Sequence, residues 1–142
     1  MAVMRDRPYV NSNFLVDLGT GDGNSVTAGF AEVIFPVFTI GSTKPRASDP
    51  AGAHESNHLI LKRGVIGALD LYSWWSSAPR GKKPQRRTVK IELLGEDHST
   101  VVMTWRFRKA YPATLSYSPL SATEGSVVME TVELAFDSVE MS

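Results

Sequence analysis

The sequence of 142 residues contains no cysteine. Disulfide bridges, thiolate metal sites and cysteine nucleophiles are therefore excluded. Neither sign of charge is in excess, because 15 lysine and arginine residues balance 15 aspartate and glutamate residues. Such a chain lacks the broad basic surface of a nucleic-acid-binding protein, and a net charge near zero favours association over repulsion.

Long apolar segments are missing as well. The longest apolar run, 33–40, is interrupted by Pro36 and is much shorter than the ~20 residues of a membrane-spanning helix. The N-terminal sequence MAVMRDRP lacks the apolar segment of a secretory signal peptide. We therefore expect a protein that is assembled in the cytoplasm without membrane anchoring. Its hydrophobic content of 42% suffices for a core, and we predict one domain over residues 1–142, with 1–12 as a polar N-terminal arm.

Alternating apolar and polar residues predict about seven strands, mostly antiparallel. The predicted strands are 13–19, 25–34, 58–64, 88–94, 100–109, 113–118 and 126–140. Turn-forming residues at 20–24 predict a hairpin of the first two strands, and those at 95–99 predict a second hairpin. Pro112 is expected to end a strand because proline lacks a ladder donor. A bulge is expected at 130–131.

One segment has the periodicity of a helix. Ile66, Leu69, Tyr72 and, at looser spacing, Trp75 recur at helical intervals, so a helix is predicted over 65–77. We expect its apolar face to join the apolar faces of the strands. The predicted core residues are Phe14, Phe30, Leu69, Trp75, Trp105 and Phe136.

No pattern predicts catalysis, a metal site or a cofactor. The three histidines, His54, His58 and His98, do not share a helical face, and no Gly-x-Ser-x-Gly motif is present. The basic segment 80–90 could contact phosphates, but no aromatic residues are interleaved with it. We interpret it as an exposed loop, and we predict that the protein is not an enzyme.

Several segments, taken in order, resemble the tail-tube protein family of contractile phages and of phage-tail-like extracellular injection systems. They are residues 13–16 (NFLV), 28–33 (AGFAEV), 59–65 (LILKRGV), Trp75, Trp105 with Tyr111 and Pro112, and 132–136 (VELAF). The sequence departs from the family pattern in the long segment 36–57, which has no YREG motif. It departs again at 34–36, where the family usually has SGL.

The resemblance implies a mainly β fold with one α-helix, in which two packed antiparallel sheets form a tail-tube and Hcp-like barrel. This barrel would complete a larger barrel in a hexameric ring. Stacked rings would form a hollow tube that conducts effector protein or DNA inside a contractile sheath. The implied partners are further copies of the chain, the sheath protein, baseplate or spike proteins and cap proteins, in a phage tail or an injection particle.

Two sets of residues follow as expectations. The segment 36–57 has no regular period and is long for a loop in a compact domain, so we expect it to contact the adjacent ring. The predicted inter-ring residues are Phe38, Ile40, Lys44, Arg46, Asp49 and Glu55. Polar residues on the second face of the strands are candidates for the wall of the channel; these are Thr27, Lys62, Thr104 and Arg106.

Two alternatives remain open at this stage. The chain could form a tube-initiating or capping ring of the same particle, which would share the fold. From a different class, it could be a monomeric β-sandwich module that binds a ligand through aromatic residues such as Tyr72 and Trp74. The second alternative predicts a monomer in solution, whereas a tube subunit predicts rings.

Overall fold

The computed structural model of the chain describes residues 2–20, 29–39 and 57–142. Its elements, in chain order, are β1 (Phe14–Asp17), β2 (Glu32–Ile34), β3 (Leu59–Gly64), α1 (Asp70–Ser76), β4 (Arg87–Leu94), β5 (Val101–Tyr117), β6 (Met129–Ala135) and β7 (Ser138–Met141). All pairs of strands are antiparallel. The prediction of a mainly β fold with one helix is confirmed.

Strand β5 belongs to both sheets. Its first half, 101–110, pairs with β4, which pairs in turn with β1, while β7 pairs with β5 on the other side. We call these four strands sheet A. The second half, 111–117, pairs with β6, followed by β3 and β2. We call these four strands sheet B.

The prediction that Pro112 ends a strand was wrong. Strand β5 continues through Pro112 to Tyr117, so that the predicted separate strand at 113–118 is its last part. The register shifts between Pro112 and Thr114, which makes Ala113 a bulge. Bulges bend a strand and are positions where proline is tolerated inside a sheet. The bend lies where β5 passes from sheet A to sheet B.

The predicted hairpin of the first two strands is also wrong for the residues that the structure describes. Strand β1 pairs with β4 and β2 pairs with β3, at opposite ends of the strand order. Alternation identifies the faces of a strand but not its neighbour, which is set by distant residues. The predicted last strand, 126–140, is divided into β6 and β7, and β6 pairs with β3 without a register shift at 130–131.

Helix α1 is shorter than predicted, and the side that packs on the core differs from the predicted side. Gly67 has a φ of 84°, outside the helical region, so the helix starts at Asp70 instead of residue 65. Its buried residues are Leu71 and Trp74. Contrary to the prediction, Leu69 and Trp75 are 68% and 44% exposed. Both sides of the segment are apolar, so spacing alone did not distinguish the buried side.

Both sheets and the helix contribute to one core. Its central members are Val16, Val89, Ile91 and Phe107 from sheet A, Leu59, Leu61, Val132 and Leu134 from sheet B, and Leu71 and Trp74 from α1. Of the predicted core residues, Phe30 is buried in this cluster, while Phe14, Trp105 and Phe136 are partly buried against it. Because the core lies between the sheets, their solvent-facing sides point away from each other. No helix in residues 2–20, 29–39 and 57–142 is long and apolar enough to cross a membrane.

Candidate assembly interface

A buried charged cluster fixes α1 to sheet B. The Arg63 side chain, on β3, is 1% exposed and donates hydrogen bonds to the carboxylates of Glu130 on β6 and Asp70 on α1. Burial opposes the charge of Arg63, but the hydrogen bonds to the two carboxylates outweigh it and raise the pKa of Arg63. Burial and the negative charge of Glu130 raise the pKa of Tyr117, at the end of β5. The cluster therefore joins β3, β5, β6 and the helix.

Sheet B has two edges that no strand covers in the part of the chain that the structure describes. One is the outer edge of β2, and the other is residues 111–117 of β5, on the side away from β6. The backbone N–H of Ser118 donates to the carbonyl oxygen of Met129 on β6. By strand alternation, the N–H groups of Leu115 and Tyr117 point away from β6. Such groups are a template for pairing with another chain.

The N-terminal arm covers part of sheet A. The N–H of Val3 donates to the carbonyl oxygen of Val102 at 2.8 Å, beyond the end of β7. Arg5 donates two hydrogen bonds of 2.6 Å to the carboxylate of Glu96, in the turn between β4 and β5. The hydrogen bonds from Arg5 are the main reason that the pKa of Glu96 is lowered to about 2. The N-terminal arm thus extends the row of hydrogen bonds on this side of β5 beyond the end of β7.

The solvent-facing side of sheet A carries cross-strand ion pairs. The Nζ of Lys90 lies 3.9 Å from the carboxylate of Asp17, and Arg108 lies 3.0 Å from that of Glu140. Arg106 lies on the same side and donates a 2.8 Å hydrogen bond to the hydroxyl of Ser142. This side is therefore polar and self-paired.

The solvent-facing side of sheet B is polar with fewer charges. Lys62 lies 3.9 Å from Glu32 on the neighbouring β2, and Glu133 accepts a 2.8 Å hydrogen bond from the hydroxyl of Thr114. His58 lies 4.0 Å from Glu133. Among the described residues, and with histidine counted as neutral, the two carboxylates and one lysine give this side one net negative charge.

The structure does not bring the channel candidates to one surface. Lys62 lies on the solvent side of sheet B, whereas Thr104 and Arg106 are on the opposite side of the molecule, in sheet A. Thr104 is also buried, which does not fit a residue that faces a channel. Thr27 lies outside the described residues. Alternation with a period of two identifies the solvent-facing side of each strand, but it does not show to which of the two sheets the strand belongs.

The two ends of sheet B carry exposed apolar residues. At the end of β2, the Phe35 ring lies 4.8 Å from that of Trp105, and Val37 and Phe38 are exposed. At the other end, the loop 118–128 joins β5 to β6, next to Val65. Of the predicted inter-ring residues, only Phe38 is described; Ile40, Lys44, Arg46, Asp49 and Glu55 lie outside the described residues.

The basic loop before β4 is held by its own molecule. Lys83 and Arg86 lie over the Tyr111 ring, at 5.1 and 5.5 Å from its centroid, and Arg86 is 3.4 Å from the carboxylate of Asp137. Arg87 lies over the Trp74 ring. The interpretation of 80–90 as an exposed loop holds for 80–86, which also contacts the protein's own surface, but residues 87–90 belong to strand β4. Among the residues described, no three His, Asp or Glu side chains are grouped to hold a metal ion.

The sequence matches the family model of the T4-like virus tail tube protein gp19 over residues 10–140, nearly the whole chain. The chain belongs to this tail tube family. The comparison with curated proteins found no match to this sequence. The predicted resemblance to contractile tail-tube proteins is thereby confirmed.

Solved structures share the tail tube fold at low sequence identity. A chain of the extended sheath–tube complex of PVC, an extracellular contractile injection system, is 21% identical with a TM-score of 0.76, covering 96% of this chain and 93% of that one. A chain of the anti-feeding prophage tube-terminating cap is 19% identical with a TM-score of 0.76, covering 100% and 95%. Hcp1 from Flavobacterium johnsoniae is 12% identical with a TM-score of 0.59, covering 91% and 94%.

Proposed function

We propose that this chain is the structural inner-tube subunit of a contractile, phage-tail-like injection system. Copies close into hexameric rings, the rings stack into a hollow tube, and the tube conducts cargo inside a sheath. The cargo is an effector protein or DNA. The observation that carries the proposal is that, within 2–20, 29–39 and 57–142, no strand covers the two edges of sheet B, on β2 and on residues 111–117 of β5.

Ring closure follows from the order and direction of the strands in sheet B. Its four strands, β2, β3, β6 and the second half of β5, alternate in direction. A copy that is rotated about a ring axis therefore places its β2 antiparallel to the second half of β5 in the next copy. Repetition joins all copies into one continuous sheet, and a closed sheet has no edges.

Sheet B fits the wall of the channel better than sheet A does. The outer edges of β1 and β7 in sheet A also lack a described strand partner. However, the solvent side of sheet A carries the ion pairs of Lys90 with Asp17 and Arg108 with Glu140, whereas that of sheet B carries fewer charges. The polar side of sheet B, with Lys62 and Glu133, would line the channel. Its single net negative charge per copy would recur around every ring and along the tube, where repeated charges set the potential that cargo meets.

The proposed partners outside the ring are a sheath, a baseplate or spike, and a cap. The similar chains come from structures described as a sheath–tube complex, a tube-terminating cap and a baseplate. The similarity to the cap chain keeps a capping or initiating ring as the second candidate. Membership of the tail tube family argues against the monomeric ligand-binding module.

A proline in the exposed edge of β5 tests ring closure. The N–H of Leu115 points away from β6, so Leu115→Pro should keep the pairing with β6 and remove one donor from the interface. Leu115→Ala is the matched control, because it loses the same side-chain packing and keeps the N–H. We expect ring particles in negative-stain electron microscopy for wild type and Leu115→Ala, and mainly monomers in size-exclusion chromatography for Leu115→Pro. A wild-type protein that stays monomeric, or rings formed equally by Leu115→Pro, would contradict the proposal.

A further inference from the structure

The loop 118–128 forms an open cleft at one end of sheet B. The cleft has a volume of about 390 Å³, and its apolar lining includes Leu120, Val127 and Val128. Leu120 is 84% exposed and Val127 is 73% exposed. A hydrogen bond of 2.9 Å from the Val65 N–H to the Val128 carbonyl oxygen holds the loop to the end of β3. The cleft is therefore concave, with exposed apolar side chains beside Ser118, Ser121 and Ser126, and no described segment of the same chain fills it.

An exposed apolar pair lies at the opposite end of the same sheet. Val37 and Phe38 follow β2 and lie near 136–139, beyond the end of β3 that starts at Leu59. The cleft adjoins the other end of β3, at Gly64. Six residues of extended strand at ~3.3 Å each separate the two ends by roughly 17 Å or more. One copy therefore cannot place its own Val37 and Phe38 in its own cleft.

We propose that rings stack by seating Val37 and Phe38 of one copy in the 118–128 cleft of a copy in the next ring. The inference rests on the proposed function, because it needs sheet B to form the wall of the ring. In a closed barrel the strand ends lie at the two rims, so stacking brings the cleft of one ring to the apolar pair of the next. Contacts between unlike surfaces of identical subunits continue without limit, which is how a tube grows.

The charges favour a second copy of this chain as the occupant. The cleft and its neighbours, 65–69 and 118–128, contain a single charged residue, Glu124, and the segment 35–39 contains none. A partner recognised by charge would find almost no opposite charge here. The two surfaces instead match in their lack of charge and in their exposed apolar side chains, Val37 and Phe38 on one and Leu120 and Val127 on the other.

Disulfide trapping tests the contact directly. Because the natural chain has no cysteine, the variant Phe38→Cys with Val127→Cys contains no other thiols, and the single variants Phe38→Cys and Val127→Cys report any bond between like positions. A disulfide requires the two Cα atoms to lie within about 7 Å, so a bond between these positions must join two copies. Under mild oxidation of assembled protein, we expect a ladder of species larger than dimers on a non-reducing gel. The matched control, Phe38→Cys with Met4→Cys, should give no ladder beyond dimers, since Met4 lies on the N-terminal arm.

The outcomes separate this proposal from the proposed function. Tubes of the Phe38→Cys, Val127→Cys variant that give no ladder would overturn the docking contact and leave the tube function standing. A wild-type protein without rings would overturn both. A second variant, Val127→Asp, places a charge in the cleft and should leave rings that do not stack, whereas Met4→Asp should form tubes as wild type does. Normal tubes of Val127→Asp would also overturn the docking contact.

Discussion

Sheets A and B are built from the same kinds of strands, yet they differ in how their charges are arranged. Sheet A balances its solvent-side charges with ion pairs such as Arg108 with Glu140, and the N-terminal arm extends a row of hydrogen bonds on β5 beyond β7. Sheet B has a buried ionic contact at Arg63 and weaker ones on its solvent side, and among the described residues no strand covers its edges on β2 and on 111–117 of β5. Sheet A also has outer edges, on β1 and β7, that no described strand covers. The two sheets therefore differ in their charges more than in their edges, because the solvent side of sheet A carries more ion pairs.

The largest expected effect is on the buried ion pair of sheet B. Glu130→Ala removes one of the two described carboxylate partners of the buried Arg63. Removing one member of a buried ion pair typically costs about 3–5 kcal/mol, so the free energy of unfolding should fall by about that amount. Urea denaturation followed by circular dichroism measures it.

The matched variant in sheet A is Glu140→Ala, which removes the exposed partner of Arg108. Exposed pairs contribute little, so its loss of stability should be far smaller. Equal losses in the two variants would show that burial does not distinguish the two sheets.

The second prediction compares the two edges. By the hydrogen bonds between Ser142 and Thr104, the N–H of Met141 on β7 points away from β5. Met141→Pro should therefore remove an outward donor from sheet A and still allow rings, in contrast to Leu115→Pro in sheet B. Electron microscopy of the two variants decides the question. Loss of rings with Met141→Pro alone would move the ring contact to sheet A.

The smallest expected effect concerns the arm on sheet A. The pKa of Glu96 is lowered in the folded protein from 4.5 to about 2. The pair with Arg5 therefore stabilises the fold fully above pH 4.5, and this contribution is lost as the pH falls towards 2. The protection factor against hydrogen exchange at the N–H of Val3, taken relative to the intrinsic rate at each pH, should fall over this range in wild type, while Glu96→Gln should exchange faster than wild type already at pH 6. An unchanged rate in Glu96→Gln would show that the arm does not depend on this pair.

The sequence predicted the strands whose alternation is local and regular. Strands β3 and β4 lie within one residue of their predicted ends, and the tail-tube fold was recognised from short segments in order. Pairing partners were missed because β1 and β2 find their neighbours far along the chain. The bulge at Ala113 allows β5 to continue through Pro112. The prediction that proline ends a strand was wrong here because the sequence does not show where a bulge forms.

The assembly residues were less predictable. Arg63 and Glu130 occupy inward positions in otherwise apolar alternations, Leu59–Leu61–Arg63 and Glu130–Val132–Leu134, and this was the available sign of a buried pair. The sequence could not show which polar residues face a channel, because strands of both sheets have a polar, solvent-facing side. The cleft of 118–128 depends on how a loop folds back, which periodicity does not report.

The shared strand β5 has a mechanical consequence. Its backbone runs from the outer sheet into the sheet that we assign to the channel wall, so a load on one sheet reaches the other along covalent bonds. The two layers cannot slide past each other unless β5 separates from β4 or from β6 along a whole row of hydrogen bonds. In a tube that is pushed forward by contraction of a sheath, each subunit would therefore resist shear between its two sheets.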